Sequence, residues 1–386
     1  MRTLIRNVRL LDYSSSNATS SVSFRNGLIE GIGESTGSFD SEIDGNGLLL
    51  TPGLVDAHTH LCFCGSRSWE FEARINGATY QDLAARGGGI AATVRSVHEA
   101  SKAELVRSTE RHAWWCLKHG TTTVEAKSGY GLTYDQELRI LQAYREQSTP
   151  LTIIPTLLAA HAMPAGQTRE AHIEMIVHEL GPEVKREGLA KYVDIFVEHG
   201  YFSGDDARRL QTLGMPFRLH VDQLRDGSGA ALAAELHAVT ADHLEHTNEP
   251  GIRALKASGT HPVLLPGSVY GLGLSRYPDA RAMLELGLPV VIATDFNAGS
   301  SPTASLPMAM SLACLHMKMT PKEVWEATTR NAAKSLGVFD EVGSIDKGKR
   351  ADLVLWDTDD YRDVPFHFGT NLVKKVWKHG ELIVEN

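Results

Sequence analysis

Two histidines one residue apart, His58 and His60, close the apolar run Leu48-Leu-Leu-Thr-Pro-Gly-Leu-Val55. In an extended strand, positions i and i+2 face one side, so both imidazoles can reach a single ion at about 2.0–2.1 Å. With 17 histidines among 386 residues, such a pair arises by chance roughly 0.7 times per shuffled chain, so its placement carries the weight. His220, in Phe217-Arg-Leu-His220, and Asp295, ending Val290-Val-Ile-Ala-Thr-Asp295, are the candidates to finish the ion's shell. Three neutral imidazoles and one carboxylate around a cation, with one position left for water, form a catalytic donor set that suits zinc and admits iron. A water acidified there to a pKa near 7 supplies hydroxide at neutral pH. Asp295 could also accept the water's proton, although the string Asp-Phe-Asn-Ala-Gly-Ser-Ser also permits a plain helix cap. His243, in Ala241-Asp-His-Leu-Glu245, sits where it could polarise a carbonyl or hold the attacking water. Glu198 and Lys127 either act in catalysis or pair electrostatically, and for Glu198 the pairing reading is preferred.

Such residues need a frame that brings them together. Short β-branched runs recur at Ala57–His60, Thr122–Lys127, Ile153–Leu158 and Val193–Glu198. They continue at Phe217–His220, Ala238–His243, Pro262–Leu265 and Leu288–Thr294. Helix-spaced stretches lie between them, among them Asp135–Glu146, Gln167–Leu180, Asp205–Leu213 and Asp279–Leu286. Eight such units with near-continuous apolar strands predict an α/β fold, a closed parallel (β/α)8 TIM-like barrel, ahead of an open doubly wound sheet. In a barrel the chemistry sits at the C-terminal strand ends. His58, His60, Lys127, His161, Glu198, His220, His243 and Asp295 all fall at or just past those ends. The first and last 50 residues read differently, as short strands between Gly, Asn, Asp and Ser clusters, and predict a small β-sandwich domain built from both chain ends. The expected division is 1–50 and 341–386 for that domain, with 51–340 as the metal-dependent barrel.

Composition narrows the function classes. The 38 Lys and Arg against 47 Asp and Glu leave −9, which offers no general surface for nucleic acid. The longest apolar stretches are too short to span a bilayer, and Met1–Leu11 reads as a strand rather than a signal segment. Four cysteines, with Cys62 and Cys64 forming a C-x-C pair that lacks a second pair, are too few for a disulfide framework and predict thiols in a reducing cytoplasm.

Thr51-Pro-Gly-Leu-Val-Asp-Ala-His-Thr-His60 resembles the metal-binding opening of the amidohydrolase superfamily, and Gly343-Ser-Ile-Asp-Lys-Gly-Lys-Arg-Ala-Asp-Leu-Val-Leu-Trp356 resembles its closing β-segment. Gly65-Ser-Arg-Ser-Trp-Glu-Phe71, Gly87-Gly-Gly-Ile-Ala-Ala-Thr-Val94, Lys127-Ser-Gly-Tyr-Gly-Leu132 and Asp295-Phe-Asn-Ala-Gly-Ser-Ser301 are similar, within it, to the imidazolonepropionase family. The resemblance implies hydrolytic ring opening of 4-imidazolone-5-propanoate to N-formimidoyl-L-glutamate. It implies one zinc or iron ion on His58, His60, His220 and Asp295, since the fourth strand lacks the lysine that binuclear relatives carbamylate. Arg67, Tyr130, His161, Gln223, Asn297, Gly299 and Ser300 then match positions that hold a substrate with a carboxylate tail, and a homodimer is implied. A guanidinium suits such a tail because it makes two charge-assisted bonds in one plane. Arg67 could instead form a surface pair with Glu70 or Glu72, and backbone N–H groups around Gly299 and Ser300 could also donate to the tail. Gln223 stands where certain relatives have Glu; an amide orients by hydrogen bonds but relays no proton, which moves acid–base work to Asp295 and His243. The competing expectations are a deaminase of an aromatic heterocycle with the same metal machinery and a metal-binding scaffold without catalysis.

Overall fold

The computed structural model describes the chain apart from residues 12, 14–17, 34 and 35 and the side chains of 80, 81 and 84. Near the N-terminus lie β1 (Arg2–Leu10), β2 (Ser20–Arg25), β3 (Leu28–Ile32), β4 (Ser41–Asp44) and β5 (Leu49–Pro52). The central strands are β6 (Leu54–Thr59), β7 (Thr121–Lys127), β8 (Thr152–Ala160), β9 (Tyr192–Val197), β10 (Phe217–Val221), β11 (Thr240–His243), β12 (His261–Leu264) and β13 (Val291–Ile292). Three more close the chain: β14 (Leu353–Trp356), β15 (Val373–Lys378) and β16 (Glu381–Glu385).

The eight central strands pair in chain order and in parallel, β6 through β13. A bridge from Thr59 to Phe296, with His60 N donating to Phe296 O at 2.8 Å and Asp295 N to His58 O at 3.0 Å, joins the last segment to the first. The result is the (β/α)8 barrel expected from the strand pattern. Every residue of β6, β7 and β10 is buried. Covered on both faces, these strands have no solvent side, so the charges they carry, Asp56, Glu125, Lys127 and Arg218, find their partners inside the barrel.

The chain ends share the second sheet, in the order β16-β15-β14-β5-β1-β2-β3, with β4 also on β1. The first half of β1 pairs with β2 and β4, and its last two residues pair with β5. It therefore serves both layers, which enclose one core of Ile5, Val22, Phe24, Leu50, Leu353 and Trp377.

Two elements differ from the sequence reading. The last barrel strand is only Val291–Ile292 instead of Leu288–Thr294. Pro289 lacks a donor, and beyond the strand Thr294 turns its amide and hydroxyl onto the buried Asp56 carboxylate, at 3.1 and 2.5 Å. The helix expected over Gln167–Leu180 is α-helical only from Arg169 to Met175 and widens to a π turn over Ile176–Leu180. There the Gly181 amide reaches back five residues to Ile176, just ahead of Pro182, whose missing N–H breaks the α register.

The Asp56 contact closes the barrel by side chains where the ladder is short. Thr294→Val keeps the shape and the amide donor but takes the hydroxyl from the buried carboxylate, leaving Oδ2 unpaired. It should cost about 1–3 kcal/mol of unfolding free energy, read from urea titrations; an unchanged midpoint would remove Asp56 from the closure.

Candidate active site

The barrel's C-terminal mouth gathers His58 from β6 and His60 from just past it, His161 from just past β8, His220 from β10, His243 from β11 and Asp295 from just past β13. His58, on β6, lies 4.6 Å from His220 between ring centroids and 5.7 Å from His243. His60 is 5.7 Å from His220. Asp295 Oδ1 stands 3.6 Å from Nε2 of both His58 and His60. Ligand atoms of His58, His60 and Asp295 lie within 4.8 Å of one another, and so do those of His58, His220 and His243. His58 is therefore common to two triads, and His243 stands as close to the centre as the residues first expected to surround an ion.

The rings of His58 and His220 are committed at Nδ1 and bare at Nε2. His58 Nδ1 is 2.7 Å from Asp242 Oδ2, and His220 Nδ1 is 3.1 Å from Asp194. His58 Nε2, His220 Nε2 and His60 Nδ1 are buried without a hydrogen-bond partner among the described residues. A buried polar atom left unpaired costs free energy, and a cation is the partner that lone pairs converging from several rings accept. Burial holds His58 and His60 well below the usual imidazole range, with Lys127 adding to the effect on His58 and His161 on His60. His220 is lowered by burial too, so all three rings are neutral, as ligation requires. Burial pushes the Asp295 carboxyl up to about 6 against the pull of His243. For His243, burial opposes the charge, but Glu245, 3.2 Å from Nδ1, overcomes it and raises the ring. The donor set fits a metal ion.

Backbone strain marks the same places. His243, Leu244 and Asp295 have φ of 81°, 69° and 52°, a left-handed region that costs non-glycine residues roughly 1–3 kcal/mol and concentrates at functional sites.

The remaining candidates ring the mouth. His161 stacks on His60 at 4.9 Å, with its Nδ1 3.0 Å from Gly129 O, and burial lowers it to about 3. Tyr130 lies 5.5 Å from both His60 and His161. Arg67 pairs with Glu70, Nε to Oε1 at 2.8 Å and Nη2 to Oε2 at 2.7 Å. That is the salt bridge considered from sequence, but it is not superficial, because Glu70 is buried and Arg67 Nη1 lies where a Cβ on Gly299 would be, 2.0 Å away. Gln223 is half-buried, beside a cleft of about 220 Å³ shared with Glu245 and Arg276.

The Gly299 and Ser300 backbone donors are taken up within their own loop. Both give their N–H to Asn297 Oδ1 at 2.8 Å, while Asn297 Nδ2 donates to Asp295 O at 2.6 Å and Ser300 Oγ at 2.9 Å. Asn297 shapes the loop, and Ser300 Oγ, 3.3 Å from Asp295 Oδ2, is the loop group that touches the centre. Glu198 accepts backbone N–H groups of His199 and Leu224, both at 2.9 Å, and pins the loop after β10. The four cysteines are free thiols. Asp194, Asp242 and Glu245, which orient the histidines, were not singled out from sequence. Their signal was a charge inside an apolar strand, or two residues past one.

Fold and site together define a metal-dependent hydrolase class: residues 49–383 match the Amidohydrolase family. The imidazolonepropionase of Solibacter usitatus (strain Ellin6076) is 47% identical over 88% of this chain and 84% of its own length. That of Bacillus velezensis is 44% identical over 89% and 83%. The chain belongs to the imidazolonepropionase family. Solved structures share the fold at low identity. A 5-methylcytosine deaminase from Klebsiella pneumoniae gives a TM-score of 0.75 at 17% identity, covering 99% of this chain and 97% of its own. An adenosine deaminase from Xanthomonas campestris with bound zinc gives 0.72 at 19%, covering 99% and 93%. No helix among the described residues is long and apolar enough to cross a membrane.

Proposed function

We propose that this chain opens the ring of 4-imidazolone-5-propanoate with water, giving N-formimidoyl-L-glutamate. One observation carries the reading: His58, whose bare buried Nε2 stands 3.6 Å from Asp295 Oδ1, belongs to two triads of possible ligands, one with His60 and Asp295 and one with His220 and His243, and Tyr130 lies 5.5 Å from His60. His58, His60, His220 and Asp295 would hold one ion, zinc or iron. Such an ion supplies Lewis acidity, which draws the pKa of water toward 7 and polarises a carbonyl.

The chain's own groups do the rest. Arg67 and Tyr130 bind the propanoate carboxylate and so set the ring over the histidines. His161 and Gln223 hold the ring's edge, Gln223 by donating or accepting at its amide but never by relaying a proton. Asn297, through Gly299 and Ser300, fixes the loop that carries Asp295. Asp295 takes the proton of the attacking water and returns it to the ring nitrogen as the carbonyl C–N bond breaks. His243, held at Nδ1 by Glu245, steadies the oxygen on which negative charge develops. Water's oxygen ends in the new carboxylate, and the released nitrogen keeps the formimidoyl carbon.

Purified protein should contain one zinc or iron per chain and should consume the imidazolone absorbance. A chelator should abolish turnover and added metal restore it. The deaminase reading rests on the shared fold alone; turnover of cytosine or guanine with no turnover of the imidazolone would replace our assignment with it. Metal-replete protein inert to all of them would leave a scaffold.

A further inference from the structure

Beneath the histidines lies a cluster of charges that the reaction does not use. Lys127, at the end of β7, is fully buried. Its Nζ donates to Asp194 Oδ2 on β9 at 2.8 Å and to Glu125 Oε1 on its own strand at 3.0 Å. It also stands 3.5 Å from Asp242 Oδ2 on β11. Asp194 and Asp242 are the carboxylates that hold Nδ1 of His220 and His58. Arg218, on β10 between them, is also buried, with Nη2 3.6 Å from Asp242 Oδ2 and 2.8 Å from Ala57 O. Two cations thus face three carboxylates, and a single ammonium reaches both histidine-orienting carboxylates.

That arrangement does more than neutralise charge. A carboxylate accepting only from an imidazole can rotate about its last bond. Asp194 and Asp242, each also held by a cation, present a fixed oxygen to each ring, so Nε2 of His58 and His220 points at the common centre before anything binds there. Partners one step removed from a metal commonly matter about 10–100-fold in affinity. We infer that Lys127 is the positioning residue that ties both carboxylate–histidine pairs together, and that it sets metal affinity while touching neither metal nor substrate. This rests on His58 and His220 being metal-facing, as proposed above.

The test compares Zn²⁺ affinity, by competition with a chromophoric chelator on demetallated full-length protein, for wild type and Lys127→Gln. The double variant Lys127→Gln/Glu125→Gln, which removes one charge of each sign, gives the same comparison should the single variant fold poorly. Lys378→Gln serves as control: Lys378 is another buried lysine paired with one carboxylate, Asp352, in the terminal sheet. At least a tenfold loss of Zn²⁺ affinity is expected in the Lys127 variants, with KM for the imidazolone unchanged and turnover recovered in excess Zn²⁺. The control should bind as wild type does. Affinity within twofold of wild type in the double variant, or an equal loss in the control, overturns the inference and leaves the metal centre standing. Wild-type protein that binds no Zn²⁺ or Fe²⁺ overturns both.

Discussion

Asp295→Asn should leave the fold intact and lower turnover by about 10²–10⁴-fold, the range a positioned acid–base group supplies. Asparagine is the informative replacement. Asp295 has a φ of 52°, and Asn, next to Gly, tolerates that left-handed backbone best, so the loop need not rebuild. The amide keeps an oxygen for a cation and a partner for Ser300 Oγ, 3.3 Å from the carboxylate. What it loses is the capacity to take a proton and give it back. Metal content measured beside kcat separates the two duties: full occupancy with lost turnover isolates the proton transfer, whereas lost occupancy marks Asp295 chiefly as a ligand. Full activity in Asp295→Asn would defeat both.

Much of this was legible because burial simplifies sequence. Strands of a barrel, covered on both faces, read as apolar runs, and the rule that chemistry sits at their C-terminal ends turns a list of strand ends into a list of candidates. His58, His60, His220, His243 and Asp295 were selected that way, and the structure brings their rings and carboxylate within a few ångströms. The charges below them were hidden for the same reason. Asp194 in Tyr192–Val197 and Asp242 in Thr240–His243 interrupt apolar strands, and nothing local says that they face Lys127 across the barrel. Pairing of that kind is set by register, His220 beside Asp242 and Asp194 beside Arg218, which no single segment encodes. The amides of Gly299 and Ser300 looked free because an Asn two or three residues back can take them only in one turn geometry.

Arg67→Ala should raise KM for the imidazolone about 10–100-fold, the loss expected when a charge-assisted bond of about 1.5–3 kcal/mol goes, and should change kcat much less. The geometry says why this arginine is more than half of a salt bridge. Glu70 engages the Nε–Nη2 edge and also accepts the Gly89 amide at 2.9 Å, so the carboxylate is itself fixed and freezes the guanidinium plane. Five donors minus the two spent on Glu70 leave the Nη1 side free, and a planar fork suits a carboxylate in a way that a lysine ammonium does not. Arg67→Lys should therefore fail to rescue KM. Gly299→Ala tests the same placement from the other wall, since its Cβ would sit 2.0 Å from Nη1 and must push the fork aside. It should raise KM in the same direction as Arg67→Ala, and the two together should be less than additive because they disturb one contact. A substrate analogue with the propanoate turned into its amide supplies the decisive comparison. If Arg67 binds the tail's charge, the variant's penalty shrinks toward nothing on the neutral analogue. An equal penalty on both would place Arg67 elsewhere in the mouth and take the tail-based specificity with it.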